Sequence, residues 1–387
     1  MAERMRQDGR FAGHGWRGWR LRIAIVLLGG LAVVGIFQGI SGRREKSVEQ
    51  RLAAIYAAHV LGPEENAATI YYNRLLVAYL PERLRVPAPD LPVDSNDVSP
   101  LQFSDEERMR VFLEAATRPK CFFPALCDSA GPVAAMRWMR STTFERTSVM
   151  RLLAWSILAA ALDDLDQGRL DAAKQKLHCV AQTAAHLRQQ PTYVDFLIAH
   201  AIEDYLWSAV GEFIVQRDAT NEHLAVIEGI LPSFVDAWEE ESADVRQVEI
   251  LLDTRSPWRR LRDMLDGGGP RHAIETCALN YHEIICERRG VRILIELRRH
   301  KNETGRWPDA ISDVTARLPA GVLADPLRPG ELVYKPDGDG FFLYSTGPNG
   351  RKEAAGDDYG IWPRRGIWEW LKEKQFKDLE AVMLRKS

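Results

Sequence analysis

One uninterrupted apolar run near the amino end constrains this chain more than any other feature. Residues 23–40 read IAIVLLGGLAVVGIFQGI, and Gln38 is the only polar side chain among them. A helix that crosses the roughly 30 Å hydrocarbon core of a bilayer needs about 18 or more such residues, whereas a helix on the surface of a soluble protein carries a polar face. The run therefore predicts a transmembrane helix over residues 23–40.

The flanks of this run predict how it crosses the membrane. Residues 1–22 hold six arginines against two acidic residues, and Trp16 and Trp19 fall where an interfacial aromatic belt would lie. We therefore expect a basic cytoplasmic segment over residues 1–22 and an extracytoplasmic body. A cleaved signal peptide is the alternative, but its apolar region is typically about 7–15 residues long, and the Gly-Ile-Ser-Gly sequence at 39–42 is a poor cleavage site.

The composition excludes several classes of protein. The chain has 387 residues, of which 46% are hydrophobic and 27% charged, with 51 basic and 54 acidic side chains. Neither a disordered chain nor a multi-span membrane protein has this composition. Because the formal net charge is only -3, the whole chain has no positive field that would gather nucleic acid, and we expect no nucleic-acid partner.

Helical periodicity and chain breakers divide the first part of the body. A helical pair is predicted over residues 41–80, with a break at Gly62-Pro63, and five prolines predict a linker over residues 81–100. Residues 101–270 are predicted to form a helical body of hairpins, one of which bends at Gly168. One of its predicted helices continues through Leu231 and Phe234.

The pattern changes beyond residue 270. A long helix over about 273–300 is followed by two predicted strands, 331–334 and 341–344, on either side of the turn residues 336–340, so residues 271–363 form a long helix plus a small β module. Residues 364–387 are predicted to form an amphipathic helix that packs on its own protein or lies on the membrane surface. The expected fold class is mainly α, with an N-terminal transmembrane helix, a helical-hairpin body and a small C-terminal β-hairpin module (α+β).

Several short motifs follow one another in order between Val291 and Pro363. They are Gly305-Arg306-Trp307-Pro308, Asp325-Pro326, Tyr334, the segment YSTGPNG at 344–350, and Asp357-Asp358-Tyr359. This stretch, about a fifth of the chain, resembles the C-terminal domain of the major pseudopilins of type II secretion. The chain departs from that family around Gly18, where the processing site with its glutamate is missing, so we do not expect a filament subunit.

The whole layout looks like membrane-anchored bacterial envelope proteins that end in such a module. This resemblance implies a single-pass protein of the bacterial inner membrane. In pseudopilins the loop after the hairpin binds calcium, a hard cation that prefers about six to eight oxygen ligands. Matched by position, the ligands would be the carbonyl of Leu343 and the side chains of Ser345, Asn349, Asp357 and Asp358. Asn349 stands where aspartate is common, and the alternative is a tight loop whose aspartates cap its own backbone.

The five cysteines leave two questions about sites. In an exported body Cys121 and Cys127 could form a disulfide, or both could be reduced and buried. Cys277, His282 and Cys286 are only three candidates for a structural zinc site, which needs four ligands.

No familiar catalytic motif is present. The sequence lacks a Gly-x-Ser-x-Gly elbow, a phosphate-binding loop and a His-Glu-x-x-His pair. Acidic clusters at 163–166, 203–204 and 239–241 lie on predicted helices, as do three histidines, and such residues are usually solvated or structural. Three classes of function follow: an envelope structural or interaction protein with an unknown protein partner, an envelope enzyme without a sequence motif, and an accessory factor of a type II secretion or pilus-like system. The first is favoured over the enzyme, and the sequence leaves enzymatic activity open.

Overall fold

The structure is a computed structural model, and it describes residues 48–76 except 49, 60 and 63, together with residues 105–252, 270–348 and 359–363. The chain divides into two compact units, Met1–Ala54 and Ile55–Ser387. The predicted transmembrane helix at 23–40, the linker at 81–100 and the amphipathic helix at 364–387 lie outside the described residues. Within the described ranges, no helix combines the length and apolarity that a membrane crossing requires.

Helices dominate the described chain, which confirms the mainly helical prediction. A π-helical turn (Tyr72–Leu76) follows the second helix, and a 3-10 helix (Phe123–Ala130) precedes the fourth. The α-helices are α1 (50–58), α2 (Ala67–Tyr71), α3 (Asp105–Ala116), α4 (Pro132–Asp166), α5 (Leu170–Arg188), α6 (Tyr193–Gln216), α7 (Asn221–Glu228), α8 (Trp238–Glu241), α9 (Ala243–Leu252), α10 (Pro270–Thr304) and α11 (Ser312–Thr315).

Four long helices, α4, α5, α6 and α10, build the main core. The α4–α5 hairpin bends at Gly168, whose φ of 68° lies in the left-handed region that favours glycine. Helix α6 packs against α4, α5 and α10. Leu158, Leu177, Trp207 and Leu297, one from each helix, are completely buried in this core. Burial of each such leucine stabilises the fold by about 1.5–3 kcal/mol.

A buried ion pair fixes the start of α6 against α4. Both Arg146 and Asp195 have fully buried side chains, and both guanidinium ends of Arg146 donate to the carboxylate, one of them at 2.9 Å. The Arg146 guanidinium also lies 4.6 Å from the centre of the Phe123 ring. Thr192 caps the helix by accepting from the Asp195 backbone N–H. Removal of one partner from such a pair typically costs about 3–5 kcal/mol.

Arg298 of α10 caps the carboxyl end of α6. Its Nε donates to the carbonyl of Ile214 at 2.5 Å, and its Nη2 donates to Val215 and Arg217 at 2.6 and 2.7 Å. The last carbonyls of a helix have no partner within the helix and carry partial negative charge. A cation from α10 therefore satisfies the carboxyl end of α6.

Segment 229–237 runs along α10 without regular secondary structure, and three arginines hold its backbone. Arg288 donates to the Ser233 carbonyl at 3.0 Å, and Arg292 donates to the Pro232 carbonyl at 2.8 Å. Arg289 donates to the carbonyl of Phe234 through two nitrogens, at 3.2 and 3.3 Å. Backbone groups that leave a helix need such partners when they are shielded from water.

The C-terminal module is a three-stranded antiparallel sheet in the order β1 (Val333–Asp337), β2 (Gly340–Ser345) and β3 (Tyr359–Trp362). Asp337 pairs with Gly340 across a two-residue turn, in which Gly338 has a φ of 56°. Phe341 of β2 contacts Trp307, whose ring lies edge-on to it with ring centres 4.8 Å apart.

The structure corrects three predicted elements. The helix predicted through Leu231 and Phe234 is wrong, because α7 ends at Glu228 and Pro232 cannot supply a helical N–H. Strand β1 continues through Pro336 into the region predicted as turn, and β3 was not predicted at all. The second helix of the predicted pair is interrupted, because α2 passes into a π-helical turn at residue 72.

Candidate functional site

A cavity of about 490 Å³ opens between four segments of the body, and we call it the side pocket. Its walls come from the end of α1 (58–61), the loop before the 3-10 helix (120–122), the last turn of α5 (185–190) and the α8–α9 junction (240–245). Small-molecule sites in proteins usually have volumes of about 300–1,000 Å³. The side pocket is therefore large enough for a small ligand.

Two adjacent glutamines at the end of α5 fix one wall of the side pocket. Gln189 accepts from the Cys121 backbone N–H at 2.8 Å and donates to the Pro119 carbonyl at 3.0 Å. Gln190 accepts from the Phe123 N–H at 3.1 Å and donates to the Cys121 carbonyl at 2.7 Å. The two side-chain amides thus pair with backbone N–H and C=O groups of the loop that carries Lys120, as a neighbouring strand would.

Arg188 forms the charged base of the side pocket. Only 11% of its side chain is exposed, and it lies 2.9 Å from Glu203 and 3.3 Å from Glu241. Arg288 binds the same Glu203 carboxylate with Nη2, at 2.9 and 3.1 Å. Burial alone would raise the pKa of Glu203, but the two guanidiniums hold it below its usual value. The carboxylate therefore stays ionised between two cations.

His59 closes the side pocket beside α9. Its Nε2 lies 2.9 Å from an Asp244 carboxylate oxygen, and its Nδ1 lies 2.9 Å from the Ile55 carbonyl. Both ring nitrogens face oxygens that can only accept, so the arrangement suits the doubly protonated ring. The hydrogen bond to Asp244 outweighs partial burial and raises the pKa of His59. Phe122 stacks against the ring, with centres 4.9 Å apart.

The cysteine in the wall is not a nucleophile. Cys121 is a free, buried thiol, and its burial raises the pKa well above the usual value. The thiolate is the reactive form of cysteine, so a thiol held protonated is inert near neutral pH. The groups that line the side pocket can therefore offer a ligand charge and hydrogen bonds, while the buried thiol of Cys121 stays protonated.

Each acidic cluster named from the sequence contributes at least one ion-pair partner. Asp164 is almost fully buried and lies 2.5 Å from both Arg169 and Lys176. Glu203 takes the two arginines described above, and Glu239 pairs with Arg246 at 2.6 Å. These carboxylates join neighbouring parts of the helical body.

The buried histidines are held neutral. His186 lies 3.0 Å from the Tyr71 hydroxyl and 2.7 Å from the Arg118 carbonyl, and its burial lowers the pKa to about 4. His200 is 3% exposed, and neither ring nitrogen has a hydrogen-bond partner in the part of the chain that the structure describes. Burial, together with Arg188 nearby, lowers the pKa of His200 to about 3.

The three zinc candidates do not form a site. Cys277 and Cys286 are buried free thiols, whereas His282 lies 3.2 Å from Asp236. Across the part of the chain that the structure describes, no three histidine, cysteine or acidic side chains are grouped so that they could hold a metal ion.

Two of the five predicted calcium ligands lie on β2. Leu343 is completely buried there. Ser345 is also buried, and its hydroxyl donates to Asp325 at 2.6 Å and accepts from the Gly347 N–H at 3.0 Å. This hydroxyl is already used within the module and does not fit the role of a metal ligand unless the contact to Asp325 breaks. Asn349, Asp357 and Asp358 lie outside the described residues.

The sequence did not predict that most of the residues lining the side pocket lie together. Its walls combine segments that are 50 to 187 positions apart, and no motif connects them. The one local clue was the polar run Arg188-Gln189-Gln190 before Pro191, at the end of an otherwise apolar helical stripe.

No family model, curated protein or solved structure matches this chain. The pseudopilin-like reading of residues 291–363 therefore stays a prediction.

Proposed function

We propose that the protein is a structural and interaction protein of the bacterial cell envelope, held in the inner membrane by one N-terminal span. In this proposal the body is extracytoplasmic, and it acts as a rigid support for contacts with a protein partner. Residues 23–40 supply the anchor, and the arginines before them keep the amino end in the cytoplasm.

The observation that carries the proposal is that buried arginine side chains connect the long helices to one another. Arg146 joins α4 to α6, Arg288 joins α10 to α6, and Arg298 joins α10 to the carboxyl end of α6. Buried ion pairs add little net stability, but an arrangement that separates the partners leaves an uncompensated buried charge and is strongly disfavoured. Such an arrangement suits a support whose surface must keep its shape.

The anchor and its orientation can be tested together on the full chain in cells. We expect the protein to stay with the membrane after carbonate extraction, and protease added outside spheroplasts to digest the body. Release by carbonate would contradict the anchor. Protection of the body in intact spheroplasts, with digestion only after lysis, would contradict the orientation.

The partner contact has its own test. Phe144 on α4 is 73% exposed, more than any other large hydrophobic side chain among the described residues, so it is the first place to look for a contact with a partner. A photo-crosslinking amino acid in its place is expected to yield one discrete product of higher mass in cells. Lys174, an exposed residue of α5, is the matched control position. A product at neither position, or at both equally, would count against a specific partner at this face.

A further inference from the structure

The side pocket has walls of opposite charge. Its acidic groups, Glu240, Glu241 and Asp244, all come from the short stretch around the α8–α9 junction. Its cationic groups come from other segments: Lys120 from the glutamine-held loop, Arg188 from α5, and His59 from the turn after α1. With His59 protonated, the formal charges of the lining cancel.

Four of these charges already have partners, and two do not. His59 pairs with Asp244, and Arg188 pairs with Glu241 and with Glu203 behind it. The Lys120 ammonium and the Glu240 carboxylate are exposed, and neither has an ion-pair or hydrogen-bond partner among the described residues. The side pocket thus offers one free cation and one free anion, each available to a ligand.

The paired charges add a second indication. The Glu241 Oε2 atom is buried and lies 3.3 Å from Arg188 Nε, yet it accepts no directed hydrogen bond. Buried polar atoms in native proteins nearly always have a partner. A donor that enters from the side pocket, such as an ammonium group, would supply the missing contact after a small movement of this side chain.

We propose that the side pocket binds a small zwitterion, a molecule with an ammonium group and a carboxylate a few bonds apart, as in free amino acids and dipeptides. The ammonium group meets Glu240 and Glu241, and the carboxylate meets Lys120. The hydrocarbon part of the ligand lies against Phe122, Ala185 and Val245. This inference goes beyond the proposed function, because a support for protein contacts needs no small ligand.

Charge balance selects this class over simpler ions. A free anion such as phosphate beside Lys120 would meet the unpaired carboxylate of Glu240 in the same cavity, and a free cation beside Glu240 would meet the unpaired Lys120. Like charges at such distances cost free energy even when solvent screens them. A molecule that carries both charges avoids either repulsion and forms two charge-assisted hydrogen bonds.

The test is isothermal titration calorimetry on the full chain in detergent, with L-alanine and L-alanyl-L-alanine as probes. Acetate and methylammonium each carry one of the two charges and serve as controls. We expect at least one zwitterionic probe to bind saturably at millimolar concentration or below, while both single-charge controls fail to bind. Equal binding of acetate would overturn the proposal in favour of a general anion site. Absence of saturation by both probes would overturn it as well.

Two variants tie the binding to the side pocket. Lys120→Met and Glu240→Gln each remove one free charge at an exposed position, so the fold should keep its melting temperature. Each should weaken binding about tenfold or more, because a hydrogen bond to a charged group is lost. The matched controls are Lys174→Met and Glu222→Gln, at exposed positions on α5 and α7 that do not line the side pocket. Binding that survives both pocket variants unchanged would refute the assigned site.

Discussion

Gly290 of α10 and Ile361 of β3 are packed so closely that a β-carbon on Gly290 would lie 2.4 Å from Ile361 Cγ2. Both residues are buried, and this contact is where the third strand meets the long helix. Glycine is therefore required here by the approach of the strand, although its φ is ordinary for a helix. The sheet rests directly on the backbone of α10.

Gly290→Ala is expected to loosen this contact. Overpacking typically costs about 1–3 kcal/mol, and the better helix propensity of alanine recovers about 1 kcal/mol at most. We expect a modest loss of stability and faster hydrogen exchange at the β3 amides of the full chain. Gly211→Ala on α6 is the matched control, because its β-carbon would meet only the end of the Leu294 side chain, at 3.2 Å. Equal exchange in both variants would contradict the close packing.

Arg298→Met should destabilise the body more than a comparable change beside it. The variant keeps the apolar stem but leaves the Ile214, Val215 and Arg217 carbonyls without their donor. Loss of hydrogen bonds to a charged group typically costs about 1.5–3 kcal/mol. Lys301→Met is the control, because both cations lie over the Trp307 ring, Arg298 at 5.0 Å and Lys301 at 4.5 Å from its centre. Unlike Arg298, the Lys301 side chain donates to no carbonyl among the described residues. Denaturant unfolding of the full chain measures the difference.

These two contacts show how far the sequence predicts the fold. Apolar periodicity predicts α4, α5, α6 and α10 because each of these helices carries its buried apolar residues at helical spacing within one stretch of sequence. It does not predict β3, a strand of four residues whose pairing depends on β2 and on the gap left by Gly290. It also misses the end of α7, where Pro232 and three distant arginines outweigh the apolar spacing.

The His59–Asp244 pair predicts a dependence of stability on pH. The pKa of His59 is raised in the fold, so the contribution is fully present below the unfolded value, about 6.5, and is lost as pH rises through the higher folded value. We expect the melting temperature of the full chain to exceed that of His59→Gln at acidic pH and to approach it at alkaline pH. Asp244→Asn should show the same convergence. A constant gap across pH would contradict a charged pair.

His200 predicts the opposite trend in acid. Its pKa is lowered to about 3, so the unfolded chain takes up the proton first, and stability falls as pH drops below about 6.5. From pH 7 to pH 5 this one group removes about 2 kcal/mol. His200→Phe removes two unpartnered nitrogens and keeps an aromatic ring against Phe196. We expect it to preserve stability at pH 7 and to flatten the loss in acid, as followed by urea unfolding at each pH.

Calcium at the C-terminal loop has a direct test by linkage. A ligand that binds only the folded chain raises its melting temperature by mass action. If Asp357 and Asp358 hold the ion, calcium should raise the melting temperature of the full chain above that in chelator, and alanine at either position should abolish the shift. Ser345→Ala should then matter less, because its hydroxyl is engaged with Asp325. An identical melting temperature in calcium and chelator would contradict calcium binding at this loop.

The side pocket shows the limit of prediction from sequence more plainly than the fold does. Its charges come from segments that no repeat or motif relates, and Lys120 and Glu240 each look like ordinary surface residues. They line one cavity because Gln189 and Gln190 hold the Lys120 loop to α5, while Arg188 of α5 pairs with Glu241. The role of the two glutamines could not be predicted either, because a side-chain amide that bonds to a distant backbone segment requires no particular residue spacing in the sequence.

The arginine contacts to segment 229–237 also bear on the order in which the chain folds. They join groups that are 55 to 61 residues apart, and the segment leaves the ribosome before the helix that supports it. Local helices form early, whereas contacts across long stretches of chain wait for loop closure. We therefore expect residues 229–237 to reach their final path late, after α10 has docked, with their carbonyls solvated by water until then.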